Sequence, residues 1–325
     1  VKIYQGLDMA RGVFGPSAVA IGNFDGVHAG HRALLANTVR LARETNSRAS
    51  VITFHPHPTM IVAPERAPKL LTNHEERAEL IRQQGIEQLL ILHFHRSLSQ
   101  LTPEEFFHQV LREALGARAI TVGDNFRFGQ GQAGNAGTLK ELGAGYGIEV
   151  EALAPVRRRG VVVSSSEIRN LLARGQVSKA ARLLDRPYSL SGSVVPGAGR
   201  GNRETVPTLN LETHSIDGEW KALPANGVYI TRTTCLDTGR LWPSITNNGM
   251  RPTFDGRHLT VETFLLAPLE GPGPARIRIE YLRWVRGEKK FASAEDLRAQ
   301  ILRDAGRAQT YFRRLRSALA PAPQG

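Results

Sequence analysis

A chain of 325 residues, 41% of them hydrophobic, exceeds one average domain and gives each half enough length to bury a core. Its formal net charge of +12, carried more by arginine than by lysine, suits anionic partners such as nucleotide phosphates or nucleic acid. The single cysteine, Cys235, excludes a disulfide framework and fits a reducing cytoplasm. Residues 1–6 lack the charge and apolar stretch of a signal peptide, and no apolar run reaches the ~18 residues of a membrane span, so a soluble cytoplasmic protein is expected.

In chain order, Ala18-Val19-Ala20-Ile21 reads as a strand, and Leu34, Leu35, Thr38 and Ala42 mark a helix beginning about ten residues later. Between them runs Gly22-Asn23-Phe24-Asp25-Gly26-Val27-His28-Ala29-Gly30-His31. Glycines let a backbone approach a ligand, and the N–H groups opening the helix have no helical partner, so this turn is a candidate phosphate site. His28 and His31, three apart, can aim both imidazoles at one phosphate and stabilise charge growing on it. Further apolar runs at residues 51–54, 89–92 and 120–123 alternate with helical stretches at 73–84 and 102–115, the second opened by Pro103 with Glu104 and Glu105. This alternation predicts a doubly wound parallel α/β sheet with its ligands beyond the carboxyl ends of the strands. The turns at residues 22–26, 55–58 and 123–126 should therefore share one mouth. Arg157-Arg158-Arg159 and Arg313-Arg314-Leu315-Arg316 read as solvated faces in preference to phosphate patches.

Ser164 and Glu167 form a capping box that opens a helix with Ile168, Leu171 and Leu172 on its apolar face and Gly175 as its stop; Arg169 falls near its first turn. After Arg186-Pro187 the pattern changes to short β-branched runs at 192–195, 227–231, 244–246, 259–265 and 276–284, which predict a small antiparallel barrel or sandwich. Within it, Gly197-Ala198-Gly199-Arg200-Gly201 is a basic loop able to fold over phosphates. Thr208 and Asn210 offer hard oxygen ligands for Mg²⁺, and Glu262 is a carboxylate able to take a proton from a hydroxyl. Ser293 caps a last helix with an apolar stripe of Leu297, Ile301, Ala305, Ala308, Phe312 and Leu315, followed by a frayed tail with Pro321 and Pro323.

These segments, in this order, resemble the bifunctional riboflavin kinase and FAD synthetase family of bacteria over nearly the whole chain. The 22–31 motif matches the family's adenylyltransferase motif, followed by Thr53-Phe54-x-Pro56-His57-Pro58, Gly123-x-Asn125-Phe126-Arg127-Phe128-Gly129 and Ser164-Ser165-Ser166-x-Ile168-Arg169. Residues 186–192 match the domain junction, and Pro207-Thr208-x-Asn210 and Val261-Glu262-Thr263 match the kinase half. The resemblance implies an FMN adenylyltransferase domain at 1–186 and a riboflavin kinase domain at 187–325. Riboflavin, FMN and ATP would be the small-molecule substrates, Mg²⁺ the cofactor, and FMN and FAD the products. It further implies that His28 and His31 steady adenylyl transfer and that Gly22, Asn23, Phe24, Asp25, Gly30, Asn125, Ser165, Ser166 and Arg169 surround the nucleotide. In the other half Gly197, Gly199, Arg200 and Gly201 would lie over phosphates, Thr208 and Asn210 at the metal, and Glu262 at the attacking hydroxyl. Thr205 and Val206 stand where the family usually has Gly and Phe, and His55 where it has an acidic residue.

The alternative within the same family is a monofunctional FMN adenylyltransferase whose second half binds flavin without catalysis. A nucleic-acid-binding protein is disfavoured because no such module signature occurs and aromatics do not interleave with the arginines. A zinc site of His28, His31, His55 and His57 lacks cysteine partners and zinc-type spacing.

Overall fold

The computed structural model describes residues 1–195, 208–212, 220–253, 256–269 and 271–319. Contacts divide the chain into two units: Val1–Glu167 with Ile216–Lys221, and Ile168–Ser215 with Ala222–Gly325.

The first unit is built on six parallel strands: β1 Lys2–Gln5, β2 Ser17–Ile21, β3 Arg48–His55, β4 Gln88–His93, β5 Ala117–Gly123 and β6 Glu149–Leu153, in spatial order β1-β4-β3-β2-β5-β6. All five residues of the central β2 are buried, as expected of a strand covered on both faces. One cluster, with Val19, Ile21, Ile120 and Val122, fills one side; another, with Ala18, Ala20, Val51 and Leu89, fills the other. Alternate residues of single strands thus serve opposite cores. Helix α1, Ala29–Glu44, follows β2 and buries Leu35, Thr38, Leu41 and Ala42. Helix α2, His74–Arg82, opens with a capping box in which Asn73 and Glu76 satisfy each other's backbone N–H groups. The stretch expected as one helix at 102–115 is a short α-turn, Pro103–Phe106, continued by wider π-turns over Phe107–Ala114, which still bury Phe107, Val110 and Leu111. Arg157–Arg158 and Val161–Val162 form an exposed hairpin.

Helix α3, Ser165–Ala173, starts as the sequence indicates: Ser164 Oγ accepts the Glu167 N–H at 3.2 Å. It stops at Gly175, whose φ of +69° accommodates the turn; the following helix, Val177–Leu184, was not anticipated. The second unit then closes six antiparallel strands into a barrel. They are β7 Tyr188–Val195, β8 Thr208–Leu211, β9 Gly227–Cys235, β10 Leu241–Thr253, β11 Gly256–Leu265 and β12 Arg276–Arg286, in circular order β7-β8-β11-β10-β9-β12. Closure removes the exposed edges that an open sheet of this size would carry. Inside, Thr231, Thr233, Ser244, Thr246 and Thr263 are buried in a chain of hydroxyl–hydroxyl bonds of 2.8 Å, so each of these polar groups has a partner.

The last helix, α4, Ala294–Leu319, is capped by Ser293 Oγ, which accepts the Asp296 N–H at 3.1 Å. Ala305 and Ala308 are buried against Val228, Ile230 and Ile245 on the outer face of the barrel. Leu297 and Leu315, expected in the same stripe, are exposed, so the stripe is narrower than its sequence. Pro321 and Pro323 lie outside the described residues. The helix is also held by charge: Arg286 Nε donates to Asp304 Oδ2 at 2.8 Å, and Asp304 is only 2% exposed. Arg286→Ala would leave that carboxylate buried without its cation, so denaturant melts should show a loss of about 3 kcal/mol in the transition that unfolds the barrel.

Candidate active sites

The turn after β2 is the most constrained part of the first unit. Gly22 N–H still donates to Ile52 of β3, and Asn23 O accepts from Thr53 Oγ1 at 3.0 Å. The chain then passes through positive φ at Phe24 (+48°), Gly26 (+84°) and Val27 (+37°). A β-branched residue at positive φ is costly, and here the conformation is held by complete burial of Phe24 and near-complete burial of Val27. Ser165 Oγ donates to Asp25 O at 2.8 Å, which ties the start of α3 to this turn. Of the three turns expected at one mouth, the first two meet directly: the Asn23 amide lies 3.2 Å from His57 Nε2. The third, carrying the exposed Asn125, leaves β5, the neighbour of β2.

His28 is the N-cap of α1: its Nδ1 accepts the His31 backbone N–H at 3.2 Å. That bond occupies the Nδ1 lone pair, so neutral His28 carries its proton on Nε2. The two imidazoles stack, with centroids 3.7 Å apart and planes 13° from parallel, and Phe24 leans on His31 at 5.1 Å. His31 Nδ1 is buried and makes no hydrogen bond among the described residues. Burial, with the neighbouring charges of His28 and Arg77, holds the His31 imidazole well below its usual 6.5. It is therefore a neutral donor, not a cation, at neutral pH.

Four positions sit differently from the sequence expectation. The Asp25 carboxylate, expected at the nucleotide, is 2% exposed and turned inward, accepting the N–H groups of Leu71 and Thr72 at 2.9–3.0 Å. The Phe24 ring is core. The space left by Gly22 and Gly30 is taken by protein: a Cβ at Gly22 would meet the Phe24 ring at 3.4 Å, and one at Gly30 the His28 ring at 3.2 Å. These residues shape the turn from behind. Ser166 is exposed, and half-buried Arg169 lies one helical turn beyond Ser165 on α3.

In the barrel, Leu209 and Leu211 point inward, so Thr208 and Asn210 share the outer face. Register places Asn210 beside Glu262, and Glu262 beside Asn247 on the next strand, while Thr208 is level with Phe264. Glu262 alternates with buried Val261 and Thr263 and so lies on the same outer face. Neighbours in such a row stand about 5 Å apart at Cβ. Asn247 was not anticipated; an amide between inward-facing Thr246 and Asn248 carries no signal of its own until register is known. Elsewhere in this unit the Glu288 carboxylate stands over Gly249, where a Cβ would meet Oε1 at 2.6 Å, and accepts from Asn226. Gly197, Gly199, Arg200, Gly201, Thr205 and Val206 lie outside the described residues. No cluster of three or more His, Cys, Asp or Glu able to hold a metal occurs among the described residues. Any metal at Thr208 and Asn210 would take its other ligands from substrate phosphates and water, as Mg²⁺ characteristically does.

Comparison with known proteins meets this geometry in both halves. Residues 13–167 match the FAD synthetase family and residues 184–312 the riboflavin kinase family. The chain is 33% identical to the bifunctional riboflavin kinase/FMN adenylyltransferase of Escherichia coli K12 over 294 residues, 90% of this chain and 92% of that one. It is 33% identical to the protein of the same name from Pseudomonas fluorescens over 95% of this chain and 97% of that one. The chain belongs to the bifunctional riboflavin kinase/FMN adenylyltransferase family. A Streptococcus pneumoniae crystal structure, described as a macrolide-efflux protein, superposes with a TM-score of 0.83 at 26% identity, covering 95% of this chain and 99% of that one. No helix among the described residues is long and apolar enough to cross a membrane. Family models matching both halves favour a two-activity enzyme over the monofunctional alternative.

The depressed His31 has a consequence for stability. Below about pH 6.5 the unfolded chain binds a proton that folded His31 refuses, so stability falls with acidification until the folded imidazole itself titrates. His31→Asn removes this group. Urea midpoints at neutral pH and at about pH 5 should differ less for the variant than for the parent.

Proposed function

We propose that residues 187–325 transfer the γ-phosphoryl group of ATP to the ribityl hydroxyl of riboflavin, and that residues 1–186 join the resulting FMN to AMP. In the barrel, Glu262 accepts the hydroxyl proton as the oxygen attacks the γ-phosphorus; the bond to the β,γ-bridging oxygen breaks, leaving FMN and ADP. Thr208 and Asn210 would hold Mg²⁺, which would supply positive charge against the phosphates. Arg200 in the glycine-rich stretch with Gly197, Gly199 and Gly201 would supply positive charge toward the nucleotide phosphates, and Asn247 orients Glu262 from the neighbouring strand.

In the sheet unit, a phosphate oxygen of FMN attacks the α-phosphorus of a second ATP, and pyrophosphate leaves. No protein nucleophile is involved, so the work is positioning and charge stabilisation. His28, with its proton fixed on Nε2, and neutral His31 donate to the α-phosphate oxygens, beside the N–H groups that open α1. Asn23, Asn125, Ser166 and Arg169 hold the rest of the nucleotide. The net positive charge favours the approach of phosphorylated substrates. One buried cysteine, Cys235, suits work in a reducing cytoplasm.

The observation that carries this reading is that the His28–His31 stack and the Asn210–Glu262–Asn247 row share no residue and are built on different sheets. The activities should therefore separate. His31→Ala removes one transition-state donor and should slow FAD formation from FMN by ~10²–10³ while riboflavin is still phosphorylated. Glu262→Ala should slow FMN formation by ~10²–10⁴ while supplied FMN is still adenylylated. Chromatographic separation of riboflavin, FMN and FAD reads both, after circular dichroism and melting show each variant folded. Equal loss of both reactions in folded His31→Ala would contradict the assignment.

A further inference from the structure

Trp220 and Lys221 fall within the stretch that matches the riboflavin kinase family, yet they pack as part of the sheet unit. Leu70 N–H donates to Trp220 O at 2.7 Å, and Leu70 pairs with Lys221 in a parallel bridge. Lys221 Nζ reaches Glu76 Oε2 at 2.5 Å, with the two side chains only 16% and 13% exposed. Glu76 Oε2 also accepts the Asn73 N–H at the start of α2, so one carboxylate oxygen serves both the capping box and the lysine.

The segment clamped in this way supports the nucleotide turn at two points. Leu71 and Thr72 donate their N–H groups to Asp25, and Thr72 Oγ1 accepts the Gly26 N–H at 3.0 Å. One turn into α2, buried Arg77 donates to Thr72 O at 3.3 Å and lies close enough to His31 for its charge to oppose protonation there. Residues 70–77 are thus gripped on one side by Lys221 and hold the 22–31 turn on the other.

We infer that Lys221 is a positioning residue for adenylyl transfer: through Glu76 it fixes the 70–77 segment, and through Asp25 and Gly26 it sets the shape of the turn that receives ATP. The inference rests on the reading of residues 22–31 as the ATP site. Loss of the lysine frees Glu76 from one partner and loosens the support of the turn, which weakens ATP binding without removing any group that touches the reacting atoms.

The test is steady-state FMN adenylylation by the full-length protein for the parent, Lys221→Met, Lys221→Arg, Glu76→Gln and the Lys221→Met/Glu76→Gln pair. The KM for ATP should rise about five- to tenfold in each single neutral variant, with kcat within about threefold. Lys221→Arg should recover most of the loss, and the paired variant should be no worse than the worse single one, the non-additivity of residues acting as a unit. A merely structural role would lower kcat through loss of folded enzyme and leave KM unchanged. That result, an unchanged KM in folded Lys221→Met, or additive losses in the pair would each overturn the inference. His31→Ala, assayed alongside, tests the ATP-site reading itself. If it adenylylates FMN like the parent, that reading fails whatever Lys221 does.

Discussion

The buried carboxylate of Asp25 is the constraint on which the adenylyltransferase half turns. A charged group taken out of water must be met by donors, and the Leu71 and Thr72 N–H groups supply them. Meeting them pulls the chain after β2 through positive φ at Phe24, Gly26 and Val27, a path that would not persist without burial on every side. The turn in turn sets where α1 begins, and His28 at that start both caps the helix and stacks on His31. Charge burial, backbone strain and helix capping are thus one arrangement, and its product is a stacked pair of imidazoles at the start of α1, with His31 held neutral by its burial.

The kinase half solves a different problem by a different route. Its closed barrel leaves no edge for pairing, and its interior holds threonine and serine hydroxyls that satisfy one another. The polar row of Asn210, Glu262 and Asn247 lies on the outer face, opposite the hydroxyl-lined interior. The outer face nearby is covered by α4, whose Ala305 and Ala308 allow close approach to Ile245. A rigid barrel thus holds this row on strands, which fix cross-strand spacing more tightly than loops do.

Much of this was legible in the sequence because the signals were local. The apolar runs of β2 to β5, the cap at Ser164, the stop at Gly175 and the change of pattern after Arg186-Pro187 all rest on residues within one turn or strand of each other. The signals that failed were long-range. Asp25 looks like a nucleotide ligand in a polar motif, and only the fold reveals that the 71–72 backbone claims it. The strand Thr208–Leu211 does not stand out in the sequence because alternation over four residues is too short, and Asn247 gains meaning only from its register with Glu262. The grip of Lys221 on Glu76 spans 145 positions and has no local trace.

The central claim is that one chain carries two complete and independent sites joined only by diffusible FMN. Mixing His31→Ala with Glu262→Ala tests it most directly. Each variant alone should convert riboflavin to little or no FAD, whereas the mixture with ATP and Mg²⁺ should produce FAD after a lag in which FMN accumulates. A mixture that makes no more FAD than the two variants assayed separately, with both proteins folded, would contradict the account and require the two reactions to share a site within one chain.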